Sequence, residues 1–190
     1  MGNCARFSVV ALKDIVRVII PIFTKHPLLT TKALDFSDFA KAVEIKKNST
    51  TKSLSDTEFS KIKNLKARMN SKRVIEELEP VTRPISAQWL LGFIEGEGTF
   101  GYKNLVPYFK IGQHKRSLYV LKAIEGFLLN LPRLHTETLN NNKINVITTL
   151  NKNTDVYSIC ILNIDVLYDY VLPFFNTLTF LSRKSIDFHY

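Results

Sequence analysis

The sequence predicts an α+β fold in which helices alternate with antiparallel β-hairpins. Apolar residues recur every three or four positions in some stretches, as in helices, and alternate with polar residues in others, as in strands. From residue 84 onward the predicted order is helix, hairpin, helix, hairpin and two helices. An internal repeat is the third observation, because residues 19–36 align without gaps with residues 171–188.

The composition narrows the class of protein. A chain of 190 residues with 45% hydrophobic residues can form one ordinary domain, or two small halves, around an apolar core. Two cysteines, Cys4 and Cys160, are too few for a disulfide framework or a zinc cluster and favour a reducing compartment. The apolar stretch 16–23 is short and contains Arg17 and Pro21, so we expect no membrane partner.

A basic connector follows the first copy of the repeat. Residues 41–73 carry a net charge of +7, from ten lysines or arginines against three acidic residues, out of +9 for the whole chain. Ser55 and Glu58 predict a capping box for a helix with the apolar stripe Phe59, Ile62, Leu65 and Met69. We interpret the connector as a surface that follows nucleic-acid phosphates, and the alternative is a solvated helix face. Three lysines on this helix are the predicted contacts: Lys61, Lys63 and Lys66.

The most unusual stretch is the nonapeptide LLGFIEGEG at residues 90–98, which predicts a helix with an acidic end. Ser86 is the predicted N-cap, the helix runs from about residue 87 to 96, and Gly98 ends it. Glu95 and Glu97 then lie in the last turn, where the helix dipole disfavours each negative charge by about 0.3–1 kcal/mol. A bound divalent cation would offset that cost.

Gly92 and Gly96 lie four residues apart on one face of this helix, although glycine weakens a helix interior. The close approach of a second helix explains both glycines. If two such helices cross there, their terminal carboxylates lie side by side and can share cations, which suits metal-assisted phosphodiester hydrolysis. The alternative is a buried helix with a solvated acidic end.

The nonapeptide resembles, without gaps, the signature of the LAGLIDADG homing endonucleases. Both acidic positions carry glutamate where the family name has aspartate, which keeps the charge and lengthens the side chain. The resemblance implies that Glu97 is the metal-binding catalytic carboxylate and that Glu95 has a structural role. It also implies magnesium as the cofactor and double-stranded DNA as the partner.

The first hairpin follows the nonapeptide. Phe100, Tyr102, Phe109 and Ile111 show the period-two pattern of strands, around a predicted turn at residues 103–107. The opposite face of such a two-stranded ribbon can lie in a DNA groove. That face and the residues after it supply five predicted nucleic-acid contacts: Lys103, Lys110, His114, Lys115 and Arg116.

The next elements are a helix and a second hairpin. Ser117 is the predicted cap of a helix over residues 118–129, with core residues Leu118, Leu121, Ile124 and Leu128. Residues 143–150 and 156–162 predict a hairpin joined by the polar turn 151–154. Its polar composition suits a base-reading sheet, and it supplies two predicted nucleic-acid contacts: Lys143 and Lys152.

The resemblance implies two further residues of the catalytic site. Gln113 matches a polar residue near a strand end that orders water around the metals, and the alternative is an edge-strand glutamine without a role. Lys184 lies near the basic residue of the family's site and matches Lys32 in the internal repeat. Together with Glu97, these residues form the predicted catalytic set.

The resemblance also implies the domain organisation. Residues 1–45 are interpreted as the C-terminal tail of a first repeat, residues 46–83 as a basic helical connector, and residues 84–190 as a second repeat that ends inside its last helix. A first motif helix, or a second copy of the chain, is therefore needed to complete the site.

The function predicted by the resemblance is site-specific cleavage of double-stranded DNA in intron homing, with a fungal mitochondrial origin. The isolated chain is expected to be inactive because it holds one catalytic carboxylate. Two alternatives stay open. The chain could act as a maturase that binds intron RNA and assists splicing without cutting DNA, or it could be an inactive remnant.

Overall fold

The computed structural model describes residues 6–49, 53–70, 84–133, 147–151 and 153–189. The chain forms two compact units, Met1–Glu77 and Leu78–Tyr190. The first unit is helical in its described residues, and the second contains helices and a β-sheet. The α+β class is therefore confirmed, whereas the segment boundaries at residues 45 and 83 stay predictions.

The described residues of the first unit form three helices. Helix α1 combines Leu12–Asp14 with the π-helical turn Ile15–Ile19 and with Ile20–Lys25, and it is followed by α2 (Lys32–Asn48) and α3 (Asp56–Ala67). Helix α3 begins with the predicted capping box. The Glu58 backbone N–H donates to the Ser55 hydroxyl, and the Glu58 carboxylate accepts from the Ser55 backbone N–H at 2.8 Å.

The predicted apolar stripe of α3 is only partly buried. Leu65 is 8% exposed, whereas Phe59 is 58% exposed. The reason is that α3 packs along α2, so the stripe is covered only where the two helices meet. An ion pair adds to this contact, because the Arg68 guanidinium donates to both carboxylate oxygens of the buried Asp38, at 3.1 and 2.6 Å.

The second unit places its helices on one face of a four-stranded antiparallel sheet. None of the described helices in either unit is long and apolar enough to cross a membrane. The elements of the second unit are α4 (Ala87–Glu97), β1 (Gly98–Lys103), β2 (Val106–His114), a 3-10 turn (Lys115–Ser117), α5 (Leu118–Leu129), β3 (Ile147–Asn151), β4 (Val156–Ile161), α6 (Ile164–Val166, π-helical Leu167–Val171 and Leu172–Asn176) and α7 (Lys184–His189).

The strand order is β1-β2-β4-β3, and both predicted hairpins are present. Residues 143–146 of the predicted second hairpin lie outside the described residues. The pairing register places Phe100 opposite Phe109 and Ile111 opposite Ile159, so these apolar side chains share one face. Helices α4, α5 and α7 contact the sheet. The opposite face, called the open face below, carries Lys103, Lys110 and His114, which are exposed among the described residues.

The core lies between this face and the helices. Phe109 and Phe175 are fully buried, and the Phe100 ring contacts both, with ring centroids 5.2 and 5.6 Å away. The prediction for the start of α5 needs a correction. Leu118 is only half-buried and Val120 is buried instead, because the chain enters α5 from the 3-10 turn. Ser117 is itself buried there and makes no side-chain cap.

The two copies of the internal repeat form the same elements in the same order. With an offset of 152 residues, α1 and the start of α2 correspond to α6 and the start of α7, and the π-helical turns occupy matching positions. The same ring contact is present in both copies. Phe23 and Phe36 have centroids 5.4 Å apart, and their counterparts Phe175 and Phe188 have centroids 5.9 Å apart.

Helix α4 begins and ends nearly as predicted. The Ser86 hydroxyl accepts from the Trp89 backbone N–H, and the helix continues to Glu97, one residue beyond the predicted end. Gly98 follows in an extended conformation (φ −77°) rather than a left-handed one. A Cβ on Gly98 would lie 2.6 Å from Cγ2 and 2.9 Å from the carbonyl oxygen of Ile94. Glycine is therefore required here by close packing.

Replacing Gly98 with alanine is expected to lower the free energy of unfolding by about 1–3 kcal/mol, because the Ile94 carbonyl cannot move without disturbing α4. Gly92→Ala and Gly96→Ala are the matched controls, since no described atom apart from the neighbouring residues and the nearby backbone of α4 lies within 4 Å of either Cβ position. Each control should raise stability by about 0.5–1 kcal/mol through helix propensity. Urea denaturation measures all three, and a Gly98→Ala protein as stable as the wild type would contradict the packing argument.

Candidate active site and nucleic-acid surface

Glu97 and Gln113 come together at the C-terminal end of α4. Glu97 is the last residue of the helix and is exposed. Gln113 lies near the end of β2, on the face that also carries Phe109 and Ile111 and that α4 contacts. Its side-chain amide Nε2 donates to Glu97 Oε2 at 2.9 Å. Two of the three predicted catalytic residues are therefore direct neighbours.

This pair has the chemistry of part of a magnesium site. Carboxylate and amide oxygens are the hard ligands that Mg²⁺ prefers, and Mg²⁺ usually keeps several water molecules. A cation beside Glu97 would also offset the unfavourable position of its charge at the helix end. In the part of the chain that the structure describes, no group of three or more His, Cys, Asp or Glu residues gathers around a common point. The described residues thus supply one carboxylate ligand of a cation site.

Glu95 faces a different part of the unit. Its carboxylate accepts hydrogen bonds from the backbone N–H groups of Leu181 and Ser182 and from the Ser182 hydroxyl. Burial raises the pKa of Glu95, but the hydrogen bonds from Ser182 and Leu181 outweigh it, so the pKa is lowered overall. Glu95 therefore stays ionised and ties the end of α4 to the segment before α7.

Lys184 begins α7 and lies close to Glu95. Its backbone N–H donates to the Ser182 hydroxyl at 3.1 Å, and its positive charge contributes to the lowered pKa of Glu95. The structure thus groups Lys184 with Glu95, at the same end of α4 as Glu97. A part for Lys184 in the chemistry stays a prediction.

Ser182 is a site residue that the sequence analysis did not identify. The internal repeat contains the signal, because Ser182 corresponds to Thr30 and both precede the matching lysines by two residues. The two hydroxyls make the same local contact. The Thr30 hydroxyl accepts from the Lys32 backbone N–H at 3.3 Å, as the Ser182 hydroxyl does from Lys184.

The glycine face of α4 is open. Apart from the neighbouring residues and the nearby backbone of α4, no described atom lies within 4 Å of a Cβ placed on Gly92 or Gly96. The face therefore has room for the close approach of another helix. The crossing itself stays a prediction.

The open face of the sheet carries the predicted basic residues of the first hairpin. The register places Lys110 opposite Cys160 and Lys103 opposite Val106, and His114 lies on the same face. Burial raises the pKa of Cys160, and the charges of Lys110 and Lys103 oppose that shift. Among the predicted contacts, Lys103, Lys110 and His114 thus share one face of the sheet, on which the two lysines supply positive charge.

The residues after β2 are partly engaged within the chain. Lys115 forms an ion pair with Asp155 at 2.8 Å, and this contact is the main cause of the lowered pKa of Asp155. The His114 ring accepts from the Arg116 backbone N–H at 3.3 Å through Nδ1. Lys115 is therefore a weaker candidate for phosphate binding than Lys103 or Lys110. Lys143 and Lys152 lie outside the described residues.

The lysines of α3 belong to the first unit and are all exposed. Lys63 and Lys66 are three residues apart and share one face of the helix. Lys61 points elsewhere and lines the groove between α2 and α3. The predicted phosphate contacts of the connector thus divide into a pair and a single lysine.

Sequence comparison relates the chain to a family and to named proteins. The model of the LAGLIDADG endonuclease family matches residues 2–43, which include α1 and most of α2. The chain is 32% identical over 180 residues to the uncharacterized mitochondrial protein RF1 of Saccharomyces cerevisiae, covering 90% of this chain and 37% of that protein. It is 33% identical over 125 residues to the probable intron-encoded endonuclease Cox1-I1b of Schizosaccharomyces pombe, covering 62% and 31%.

Structure comparison gives the same result. The LAGLIDADG homing endonuclease I-SmaMI bound to cleaved DNA matches with a TM-score of 0.75 and 20% identity, over 94% of this chain and 62% of that one. I-LtrWI bound to target DNA matches with a TM-score of 0.74 and 25% identity, over 96% and 63%. The chain spans about a third of the two curated relatives and less than two thirds of these solved endonucleases. Residues 2–43 thus match the LAGLIDADG endonuclease family model, and the chain as a whole shares the fold of LAGLIDADG homing endonucleases.

Proposed function

We propose that this chain is part of a site-specific, metal-dependent endonuclease that cuts double-stranded DNA in intron homing. The observation that carries the proposal is the exposed Glu97 carboxylate, which Gln113 holds at the end of α4. The solved endonucleases of the same fold support DNA as the partner, because both are described as bound to DNA. The names of the fungal relatives support a mitochondrial location.

Each site residue has a proposed part in the chemistry. Glu97 would supply an oxygen ligand for Mg²⁺, and the bound cation would supply an activated water and stabilise the charge that develops on the phosphate. Gln113 orients the Glu97 carboxylate through its amide nitrogen, and its amide oxygen is then available to accept from a water. Lys184 adds positive charge at this end of α4, where a phosphate group would bind.

A second carboxylate is proposed to come from a first-repeat motif helix or from a second copy of the chain. The internal repeat supports this. In the second unit, Phe100 of β1 contacts the rings of Phe175, Phe180 and Phe188. In the first unit the matching residues, Phe23, Leu28 and Phe36, line a cavity of about 670 Å³. The first unit thus has room for a strand residue that corresponds to Phe100.

DNA binding is proposed to depend on phosphate contacts from the α3 lysines and the open face of the sheet. Affinity for a duplex should then fall steeply with salt, because each neutralised phosphate releases counterions. The triple change Lys61→Gln, Lys63→Gln and Lys66→Gln should flatten the slope of log affinity against log salt, by up to about 0.9 for each phosphate that is no longer neutralised. Fluorescence anisotropy at several salt concentrations measures this slope.

The matched control for the triple variant is Lys122→Gln. Lys122 lies on α5, among the helices that cover the sheet, and pairs with Glu125 at 2.7 Å, so its removal should leave the slope unchanged. A wild-type slope in the triple variant would exclude these lysines as phosphate contacts. Tighter binding of intron RNA than of duplex DNA at equal salt would favour the maturase alternative.

A further inference from the structure

The tip of the first hairpin combines two unfavourable features. Asn104 and Leu105 form the two-residue turn between the paired residues Lys103 and Val106, and their φ angles are 51° and 64°. Two-residue hairpin turns with positive φ at both positions favour glycine at the second, because a Cβ is disfavoured in the left-handed conformation. Here the second residue is leucine, and 92% of its surface is exposed.

Residues close to Leu105 are also apolar and exposed, whereas the second hairpin shows that a turn of this sheet does not need an apolar tip. Tyr102 is 62% exposed and Val106 is 37% exposed. The turn of the second hairpin contains Asp155 with a φ of 53°, a polar residue that tolerates this conformation better. Because so little of Leu105 is buried, packing inside the chain does not explain a leucine at this position.

We propose that the Leu105 side chain contacts the bases of a bound DNA duplex, an inference that rests on the proposed DNA-binding function. Lys103 directly precedes the turn and Lys110 lies on the same open face, so positive charge draws phosphates to this side of the ribbon. A ribbon seated in a groove brings its tip to the base edges. The apolar surfaces there are thymine methyl groups and the faces of base steps, which leucine side chains contact or separate.

Three substitutions separate the apolar contact from the backbone strain. Leu105→Ala removes most of the side chain and keeps the strain, whereas Leu105→Gly removes both. Leu105→Met keeps an apolar side chain of similar volume. Each variant of the full chain is measured for thermal stability and for affinity to the duplex that the wild-type protein selects from a random-sequence pool.

Both Leu105→Ala and Leu105→Gly should weaken duplex binding about tenfold with an unchanged salt slope, because the interaction that they remove is apolar and uncharged. Leu105→Met should bind like the wild type. Only Leu105→Gly should raise the melting temperature, because only glycine relieves the left-handed residue.

The outcomes distinguish this interaction from the proposed function. Wild-type affinity in the alanine and glycine variants would overturn the base contact alone. Absence of duplex binding by the wild-type chain would overturn DNA binding and the base contact together. Weaker self-association of the two variants in sedimentation, at unchanged DNA affinity, would assign the tip to a protein partner and overturn the proposal.

Discussion

Replacing Glu97 with glutamine is expected to abolish DNA cleavage and to leave DNA binding nearly unchanged. Glutamine can still accept the hydrogen bond from Gln113, so the shape of the site is kept. It lacks the negative charge that would hold the cation. Metal ions supply several kcal/mol of transition-state stabilisation, so cleavage should fall by about 10²–10³-fold or more.

Plasmid cleavage with magnesium measures this effect in three preparations: the chain alone, the chain completed by a first-repeat motif, and the completed protein with Glu97→Gln. The chain alone should cut little or not at all because it supplies one carboxylate. Glu125→Gln in the completed protein is the control, since Glu125 lies on α5 and pairs with Lys122. Robust cutting by the lone chain, or full activity of the Glu97→Gln protein, would refute this description of the site.

Replacing Arg133 with methionine is expected to destabilise the second unit by about 3–5 kcal/mol, because the buried Asp169 carboxylate loses its ion pair with this guanidinium. The Asp169 side chain is 2% exposed and that of Arg133 is 20% exposed. The guanidinium reaches Asp169 Oδ2 through Nε at 3.1 Å and through Nη2 at 3.0 Å. This ion pair joins the segment after α5 to the π-helical turn of α6.

Two further variants make the measurement specific to the buried pair. The double change Arg133→Met and Asp169→Leu should recover most of the stability, because the buried carboxylate is removed together with the cation of the ion pair. Lys122→Met removes an exposed cation from its pair with Glu125 and should cost less than about 1 kcal/mol. Equal destabilisation by Arg133→Met and Lys122→Met in urea denaturation would show that burial does not decide the effect.

The parts of the fold that the sequence predicts well are those that residues close together along the chain stabilise. Ser86 caps α4, Gly98 ends it, and Ser55 with Glu58 caps α3, because each cap satisfies backbone groups within one turn. Period-two patterns located the hairpins for a similar reason, since strands expose alternate side chains to opposite faces. The Phe59 stripe was predicted less well, because burial depends on how much of α3 another helix covers.

The candidate site likewise has features that local sequence determines and contacts that packing determines. By itself the sequence determined the order of elements, the acidic end of α4, the glycine face and the internal repeat, since all four depend on residues close along the chain or on comparison of the chain with itself. Only the tertiary structure decided which carboxylate oxygen accepts from which donor. Gln113 reaches Glu97 from 16 positions away, Ser182 binds Glu95 from 87 positions away, and Arg133 binds Asp169 from 36 positions away. Sheet register and helix packing create such contacts, and local pattern does not encode them.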